Sequence, residues 1–175
     1  MLTDKQEELF KQWLGEHKKL MFKVVKAYAS SPEDQDDLFQ QILLQLWSSI
    51  PNFQGNAKEK TWIYRVALNT ALVWRRGETR KRKRYHKLII DFDGASDIQQ
   101  SSCNPMRDAQ ILGQLYGAIR QLSKIDSSVV LMYLDGVSYD EMADILGISK
   151  SNVGVRLNRA KKKLAQLLKG LIDDV

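Results

Sequence analysis

The chain has 175 residues, of which 43% are hydrophobic and 27% charged, and its formal net charge is +6. This composition is typical of one or two small globular domains and excludes an intrinsically disordered protein. The chain has a single cysteine (Cys103) and two histidines, which excludes an internal disulfide and a thiol-rich zinc site. It has no apolar run of membrane-spanning length. We therefore expect a cytoplasmic protein without membrane insertion.

The charge is unevenly distributed along the chain. Basic residues outnumber acidic ones by eight to one between Arg75 and Leu88, and by seven to two from Ser149 to the end. The segment between them carries nine acidic and three basic residues. Two positive patches predict a polyanion-binding protein with two contact sites, although each patch is also compatible with a solvated helix face.

The first elements in the chain are predicted to be two amphipathic helices. Apolar residues fall on one face from Lys5 to Tyr28, and Pro32 suits the first turn of the next helix. That helix begins with a cluster of acidic side chains, which interact well with the helix dipole but point in different directions, so no metal site is expected. Leu38, Ile42, Leu46 and Ile50 then repeat every fourth residue, which predicts a buried stripe.

Residues 51–60 have the composition of a loop, and a third helix is predicted from Thr61 to Arg76. The loop aromatic Phe53 either anchors the loop onto the core or forms part of a binding surface. We assign Trp74 to the core, whereas Trp62 and Tyr64 remain open between core packing and stacking on single-stranded nucleic acid. The basic run after Gly77 favours nucleic-acid binding or a flexible tail.

Residues 88–105 are rich in turn formers and acidic residues, which indicates a flexible linker. Four helices are predicted after it. The last two meet in a turn: Ser138 and Glu141 form a capping box, Gly147 suits a positive φ, and Ser149 caps the final helix. This pattern is typical of a helix-turn-helix or of a plain αα-hairpin. With no β alternation, the fold class is all-α, in two small helical domains.

Three stretches, in this order, resemble bacterial RNA polymerase sigma factors of the sigma-70 family, in particular the extracytoplasmic-function (ECF) type: DDLFQQILLQLW, NFQGNAKEKTWIYRVALNTALVWRR and LYGAIRQLSKIDSSVVLMYLDGVSYDEMADILGISKSNVGVRLNRAKKKL. The resemblance implies a sigma-2-like domain over residues 1–87, a linker over 88–105 and a sigma-4-like domain over 106–175. It implies core bacterial RNA polymerase and promoter DNA as partners, no cofactor and no catalytic activity. A linker between two partner-binding domains would also permit sequestration by an anti-sigma factor.

The resemblance further implies which residues make the contacts. The polymerase-docking residues would be Asp37, Gln40, Gln41 and Leu44. The downstream (minus-ten) promoter element would be captured and melted by Phe53, Asn56, Lys60, Trp62, Tyr64, Arg65, Asn69, Arg75, Arg76, Arg80 and Arg82. The upstream (minus-thirty-five) element would be bound by Ser149, Lys150, Ser151, Asn152, Arg156 and Arg159.

Two departures from the family pattern bear on these assignments. Family members usually have Gln-Glu where this chain has Gln40-Gln41, which alters the charge of the polymerase contact. Gly154 and Val155 precede Arg156, where a basic residue and a serine are common. Because a helical glycine costs about 1 kcal/mol relative to alanine, either the backbone approaches DNA closely there or the contacts shift along the helix.

Two other classes of function compete with a promoter-specificity subunit. A stand-alone helix-turn-helix regulator would bind duplex DNA without polymerase, but it leaves the aromatic and basic run Trp62–Arg84 unexplained. An enzyme acting on nucleic acid is disfavoured by two distant histidines, one isolated thiol and the lack of a glycine-rich phosphate loop.

Overall fold

The computed structural model describes residues 2–88 and 105–172, and within them the side chains of residues 4–77 and 109–169. The described residues form seven α-helices and one 3-10 turn and contain no strand, which confirms the all-α prediction. None of these helices is long and apolar enough to cross a membrane. The helices are α1 (Leu2–Tyr28), α2 (Pro32–Ser49), α3 (Glu59–Leu88), α4 (Pro105–Arg120), α5 (Lys124–Leu134), α6 (Tyr139–Leu146) and α7 (Lys150–Ile172), and the 3-10 turn is Ile50–Asn52.

The first three helices pack into one bundle. Helix α2 begins where predicted, because the Ser31 hydroxyl accepts a hydrogen bond from the Asp34 backbone N–H at 3.1 Å and proline occupies the first turn. The predicted four-residue stripe of α2 is buried, with Leu38, Ile42 and Leu46 fully inaccessible to solvent. From α1 and α3, this core takes further buried residues: Trp13, Met21, Val24, Ile63, Tyr64 and Leu68.

Helix α3 is longer than the sequence predicted. It starts at Glu59 rather than Thr61 and continues through Gly77 and the basic run to Leu88, where Thr61–Arg76 had been expected. The flanking alanine, leucine, arginine and lysine residues are good helix formers, and together they outweigh the roughly 1 kcal/mol that one internal glycine costs. The basic run is therefore an extension of the helix.

The last four helices pack around the helix-turn-helix. The Ser138–Glu141 capping box is present, and Gly147 ends α6 with a φ of 67°. The Ser149 hydroxyl caps α7 by accepting from the Asn152 backbone N–H at 3.2 Å. The predicted inner faces are buried: Met142 and Ile145 on α6, and Val153, Leu157, Ala160 and Leu164 on α7.

The two helical groups are also packed against each other. Helix α1 contacts α4 and α5, and α3 contacts α6. The Tyr28 hydroxyl of α1 is hydrogen-bonded to the Ser128 hydroxyl at 2.6 Å and donates to the Lys124 carbonyl at 2.8 Å, and burial raises the pKa of Tyr28 to about 12. Residues 89–104 of the predicted linker lie outside the described residues.

Gly154 lies in the first turns of α7, beside Tyr139 of α6, and the packing there leaves room for a methyl group. A Cβ built at this position would lie 3.7 Å from Cε2 of Tyr139 on α6, an ordinary van der Waals separation. Gly154→Ala is therefore expected to raise the free energy of unfolding by about 0.5–1 kcal/mol, because alanine lowers the entropy lost on forming the helix. Thermal unfolding followed by circular dichroism measures this gain.

Gly113 on α4 supplies the matched control for Gly154. It is exposed, and nothing lies within 4 Å of a Cβ built there. Gly113→Ala should give the gain in helix propensity alone, so the difference between the two variants measures the contact with Tyr139. A loss of stability in Gly154→Ala alone would show that α6 and α7 are packed too closely for the added methyl group.

Candidate nucleic-acid interface

An open groove of about 600 Å³ runs between α2 and α3. Two of its apolar side chains are strongly exposed: Leu44 at 65% and Val73 at 66%. Of the residues predicted to dock on polymerase, Gln41 and Leu44 line this groove, while Asp37 and Gln40 are exposed on the same helix outside it. The other lining residues are Gln45, Ser49, Val66, Asn69 and Thr70. An exposed apolar groove with a polar rim is suited to binding another protein.

The loop before α3 is held on the bundle by an aromatic cluster. The ring of Phe53 stands edge-on to Trp13, with centroids 5.1 Å apart, and lies 5.6 Å from Trp62. The indole Nε1 of Trp62 donates to the Ser49 hydroxyl at 3.1 Å. Phe53 thus anchors the loop onto the core, the first of its two predicted roles, and Asn56 remains exposed beyond it, hydrogen-bonded to Gln54 at 3.3 Å.

Three of the predicted downstream-element residues contact the second helical group. Lys60 Nζ donates to the Asp135 carbonyl at 2.9 Å, and Arg65 Nη2 donates to the Asp144 carbonyl at 3.1 Å. Tyr64 is fully buried, and its hydroxyl donates to the Asp135 carboxylate. Burial and this hydrogen bond raise the pKa of Tyr64 above its ordinary value, so the phenol stays neutral.

The remaining cationic positions of α3 lie along its second half. Arg75 Nη2 donates to the Arg120 carbonyl at 2.9 Å, and its guanidinium lies 5.9 Å from the centre of the Tyr28 ring. Arg76 and Asn69 are exposed and line a second groove of about 530 Å³ between α3 and the helix-turn-helix. Arg80 and Arg82 belong to α3, but their side chains lie outside the described residues. Trp74, assigned to the core, is half-buried and packs against it.

The predicted recognition residues at the start of α7 are mostly exposed. Ser149, Lys150, Ser151, Asn152 and Arg159 face solvent, and Lys150 Nζ also pairs with Asp140 at 2.8 Å. Val155, which departs from the family pattern, is 50% exposed on the same helix. A helix end that presents amide, hydroxyl and cationic groups can reach base edges and phosphates in a major groove.

Arg156 is placed differently from its neighbours on α7. Its Nη1 pairs with the Asp126 carboxylate of α5 at 2.9 Å, and the two side chains are only 31% and 22% exposed. The Asp126 carboxylate is also hydrogen-bonded by the Ser123 hydroxyl at 2.6 Å. Arg156 therefore links α7 to α5, a structural role that spacing along the helix did not reveal.

Sequence reasoning missed Asp135, the C-cap residue of α5. Its carboxylate is 7% exposed and receives hydrogen bonds from Lys23 on α1 and Tyr64 on α3. In the sequence, the Asp135-Gly136 pair indicates only that a helix ends there. No signal in the sequence joins residues 112 positions apart, as Lys23 and Asp135 are.

Glu141 combines two roles at the start of α6. It closes the capping box with Ser138 and accepts from Lys58 Nζ of the α3 loop at 2.9 Å. The hydrogen bonds from Lys58 and Ser138 lower the pKa of Glu141 to about 2. The carboxylate is therefore charged at all physiological pH values.

One group of possible metal ligands occurs within the described part of the chain: Glu16, His17 and Glu59, whose ligand atoms lie within 4.8 Å of one another. Glu16 is exposed and the other two are half-buried. Exposed carboxylates often lie together without an ion, and Lys58 and Lys60 flank Glu59 in the sequence. This grouping does not indicate a metal centre.

Two family models match the chain, one in each helical group. Residues 13–81 match the model described as sigma-70 region 2, and residues 112–164 match the model described as sigma-70, region 4. The first match covers most of α1, α2 and α3, and the second covers α5, α6, most of α4 and the first two thirds of α7.

Similar proteins extend over nearly the whole chain. RNA polymerase sigma factor NccH of Alcaligenes xylosoxydans xylosoxydans is 24% identical over 168 residues, covering 91% of this chain and 86% of NccH. ECF RNA polymerase sigma factor SigW of Bacillus subtilis is 24% identical over 176 residues, covering 94% and 91%. Sigma factor RpoE of Bartonella quintana, solved in complex with the anti-sigma factor NepR, has the same fold, with a TM-score of 0.70, 23% identity and coverage of 91% and 96%.

Proposed function

Because the chain belongs to the ECF group of the sigma-70 family, whose members direct promoter-specific transcription initiation, we propose that it binds core bacterial RNA polymerase and recognises and melts promoter DNA. The observation that carries this proposal is the pairing, in one chain, of the exposed α2–α3 groove with a helix-turn-helix whose recognition helix presents polar and cationic side chains. In this proposal the chain supplies specificity and no catalytic step.

The two halves have separate tasks in the proposal. Residues 1–87 dock on polymerase through Asp37, Gln40, Gln41 and Leu44 and bind the downstream element through the α3 loop and α3. Residues 106–175 read the upstream element through the start of α7, and residues 88–105 connect the two. The aromatic cluster of Phe53 and Trp62 fixes the loop so that Asn56 and its neighbours can form a pocket for an unstacked base.

An anti-sigma factor is a further partner in the proposal. The support is the similarity to RpoE of Bartonella quintana, whose structure contains the anti-sigma factor NepR. The proposed site of action is the cytoplasm, where the polymerase is found.

The test combines purified full-length chain with core polymerase. We expect a stable complex on size-exclusion chromatography and transcription from discrete start sites on genomic DNA, neither of which core polymerase gives alone. Mapping these start sites would reveal both promoter elements. Specific duplex binding in the absence of polymerase, with no complex formed with core, would instead establish a stand-alone regulator.

Within this proposal, Arg159 and Arg156 should behave differently. Arg159→Ala is expected to lower transcription from a mapped promoter about tenfold, because a lost contact to a phosphate or guanine costs about 1–3 kcal/mol. The melting temperature of the free protein should not change, since Arg159 is exposed. In vitro transcription and thermal unfolding give the two quantities.

Arg156→Ala is the comparison variant. It removes the partner of the half-buried Asp126 carboxylate and should therefore lower the melting temperature as well as transcription. If Arg156→Ala kept full stability while Arg159→Ala lost it, the roles assigned to the two arginines would be reversed.

A further inference from the structure

Three hydrogen bonds between the two helical groups end on Asp135. Its carboxylate accepts from Lys23 and from the Tyr64 hydroxyl, while its backbone carbonyl accepts from Lys60 Nζ at 2.9 Å. These three donors come from α1 and α3, and the acceptor residue ends α5. The carbonyl at a helix C-terminus carries partial negative charge, which adds to the attraction for Lys60.

Two further contacts surround Asp135 on the same face. Lys58 Nζ pairs with Glu141 at 2.9 Å, and Arg65 Nη2 donates to the Asp144 carbonyl at 3.1 Å. The nine acidic residues counted in the middle of the chain include Asp135, Glu141 and Asp144. The acidic segment is thus folded onto the cationic side of α3 and its loop.

Burial decides which of these contacts matters most. The Lys58–Glu141 pair is largely solvent-exposed, at 79% and 27%, and exposed pairs contribute little to stability. The side chain of Asp135 is 7% exposed, so the carboxylate would be left in a desolvated site if its partners were removed. Of these charged groups, Asp135 is therefore the one whose loss should weaken the contact between the two halves most, and the buried Tyr28–Ser128 hydrogen bond also joins α1 to α5.

Cations that bind carboxylate and carbonyl oxygens also bind phosphate oxygens, and each side chain serves one partner at a time. Lys60, Tyr64 and Arg65 all belong to the proposed downstream-element surface, and all three are occupied by groups from α5 and α6. DNA can reach this surface only if α5 and α6 move away from α3.

We infer that Asp135 closes the free protein: it holds the second helical group over the downstream-element surface, and this contact must open before the promoter strand can bind. That the covered surface binds the downstream promoter element rests on the proposed function. The closed contact itself does not depend on the proposed function. Because only the open fraction binds, the apparent affinity of the free protein for nucleic acid is lowered in proportion to that fraction.

Opening is measured without DNA or polymerase. Donor and acceptor dyes are attached at Gln12→Cys and Gln166→Cys, both exposed, in full-length protein carrying Cys103→Ser, which removes the sole native cysteine. Asp135→Ala is expected to lengthen the dye-to-dye distance in single-molecule energy transfer. An unchanged distance distribution would overturn the inference, whatever the fate of the proposed function.

Asp144→Ala is the matched control. It removes the same charge from the same surface, but the contact with Arg65 uses the Asp144 backbone carbonyl, which the substitution leaves in place. Its distance distribution should match that of the parent protein. An equal lengthening in both variants would mean that net charge, rather than the Asp135 contact, holds the halves together.

The effect on nucleic-acid binding is measured with a fluorescently labelled oligothymidylate, by anisotropy at fixed salt. Asp135→Ala should bind about fivefold more tightly than the parent protein, and Asp144→Ala should bind like it. A longer distance without tighter binding would overturn the claim that closure covers a nucleic-acid surface. Association with core polymerase would still test the proposed function separately.

Lys23→Ala guards against misfolding of the Asp135 variant. Lys23 is 43% exposed on α1 and has no role in the proposed DNA contacts. Its substitution nevertheless removes one partner of the Asp135 carboxylate. It should lengthen the distance and tighten oligothymidylate binding in the same direction as Asp135→Ala. Circular dichroism verifies that each variant is folded, and a folded Lys23→Ala without either change would contradict the inference.

Discussion

Leu44→Asp is expected to weaken the association with core RNA polymerase about 100-fold, the largest functional effect among the exposed residues. Leu44 is 65% exposed and faces Val73 across the α2–α3 groove. An apolar side chain at the centre of an interface typically contributes about 2–4 kcal/mol, and an aspartate there would also have to be desolvated without a partner. Surface plasmon resonance with immobilised core polymerase measures the loss.

Two controls accompany Leu44→Asp. Leu44→Met preserves the apolar surface and should retain binding within a few-fold. Gln12→Asp introduces the same charge at an exposed position of α1 that does not line the groove, and should bind like the parent protein. Equal binding by Leu44→Asp and Gln12→Asp would show that polymerase docks elsewhere.

Trp13→Ala is expected to lower the free energy of unfolding by about 3–5 kcal/mol, because it removes a fully buried indole from the centre of the first bundle. Trp13 also supports Phe53, whose ring packs edge-on against it at 5.1 Å. Since domains of this size are stable by only about 5–15 kcal/mol, the variant should unfold at much lower urea concentrations. Urea unfolding followed by circular dichroism gives the value.

Trp13→Phe separates the loss of volume from the loss of the ring. It keeps an aromatic side chain against Phe53 and removes the indole Nε1–H, which is buried without a hydrogen-bond partner among the described residues. Its cost should therefore be smaller, about 1–2 kcal/mol. A Trp13→Ala variant no less stable than Trp13→Phe would contradict the central position of this residue.

Local sequence signals predicted the helices and most of their inner faces. The capping box at Ser138, the left-handed Gly147 and the stripe of Leu38, Ile42 and Leu46 are short-range patterns, each specified within one or two helical turns. The length of α3 was underestimated, because one glycine was given more weight than the good helix formers on either side of it.

The contacts between elements could not be predicted in the same way. The resemblance implies a DNA contact for Arg156, and the sequence gives no sign that Asp126, thirty residues earlier in the chain, pairs with it. Sequence patterns leave Tyr64 open between core packing and stacking on nucleic acid, whereas in the structure it is buried and its hydroxyl donates to Asp135, 71 residues away. Such pairings arise from tertiary packing, and local patterns in a single sequence do not show which distant residues will meet.

The sixteen residues that connect α3 to α4 have a thermodynamic consequence for the closed arrangement. Covalent connection over so short a distance gives each half an effective concentration of the order of millimolar at the other. A contact too weak to hold two separate polypeptides together at micromolar concentration can therefore keep one chain mostly closed. Competition from polymerase is then intermolecular, so the fraction of open protein rises with the concentration of free core enzyme.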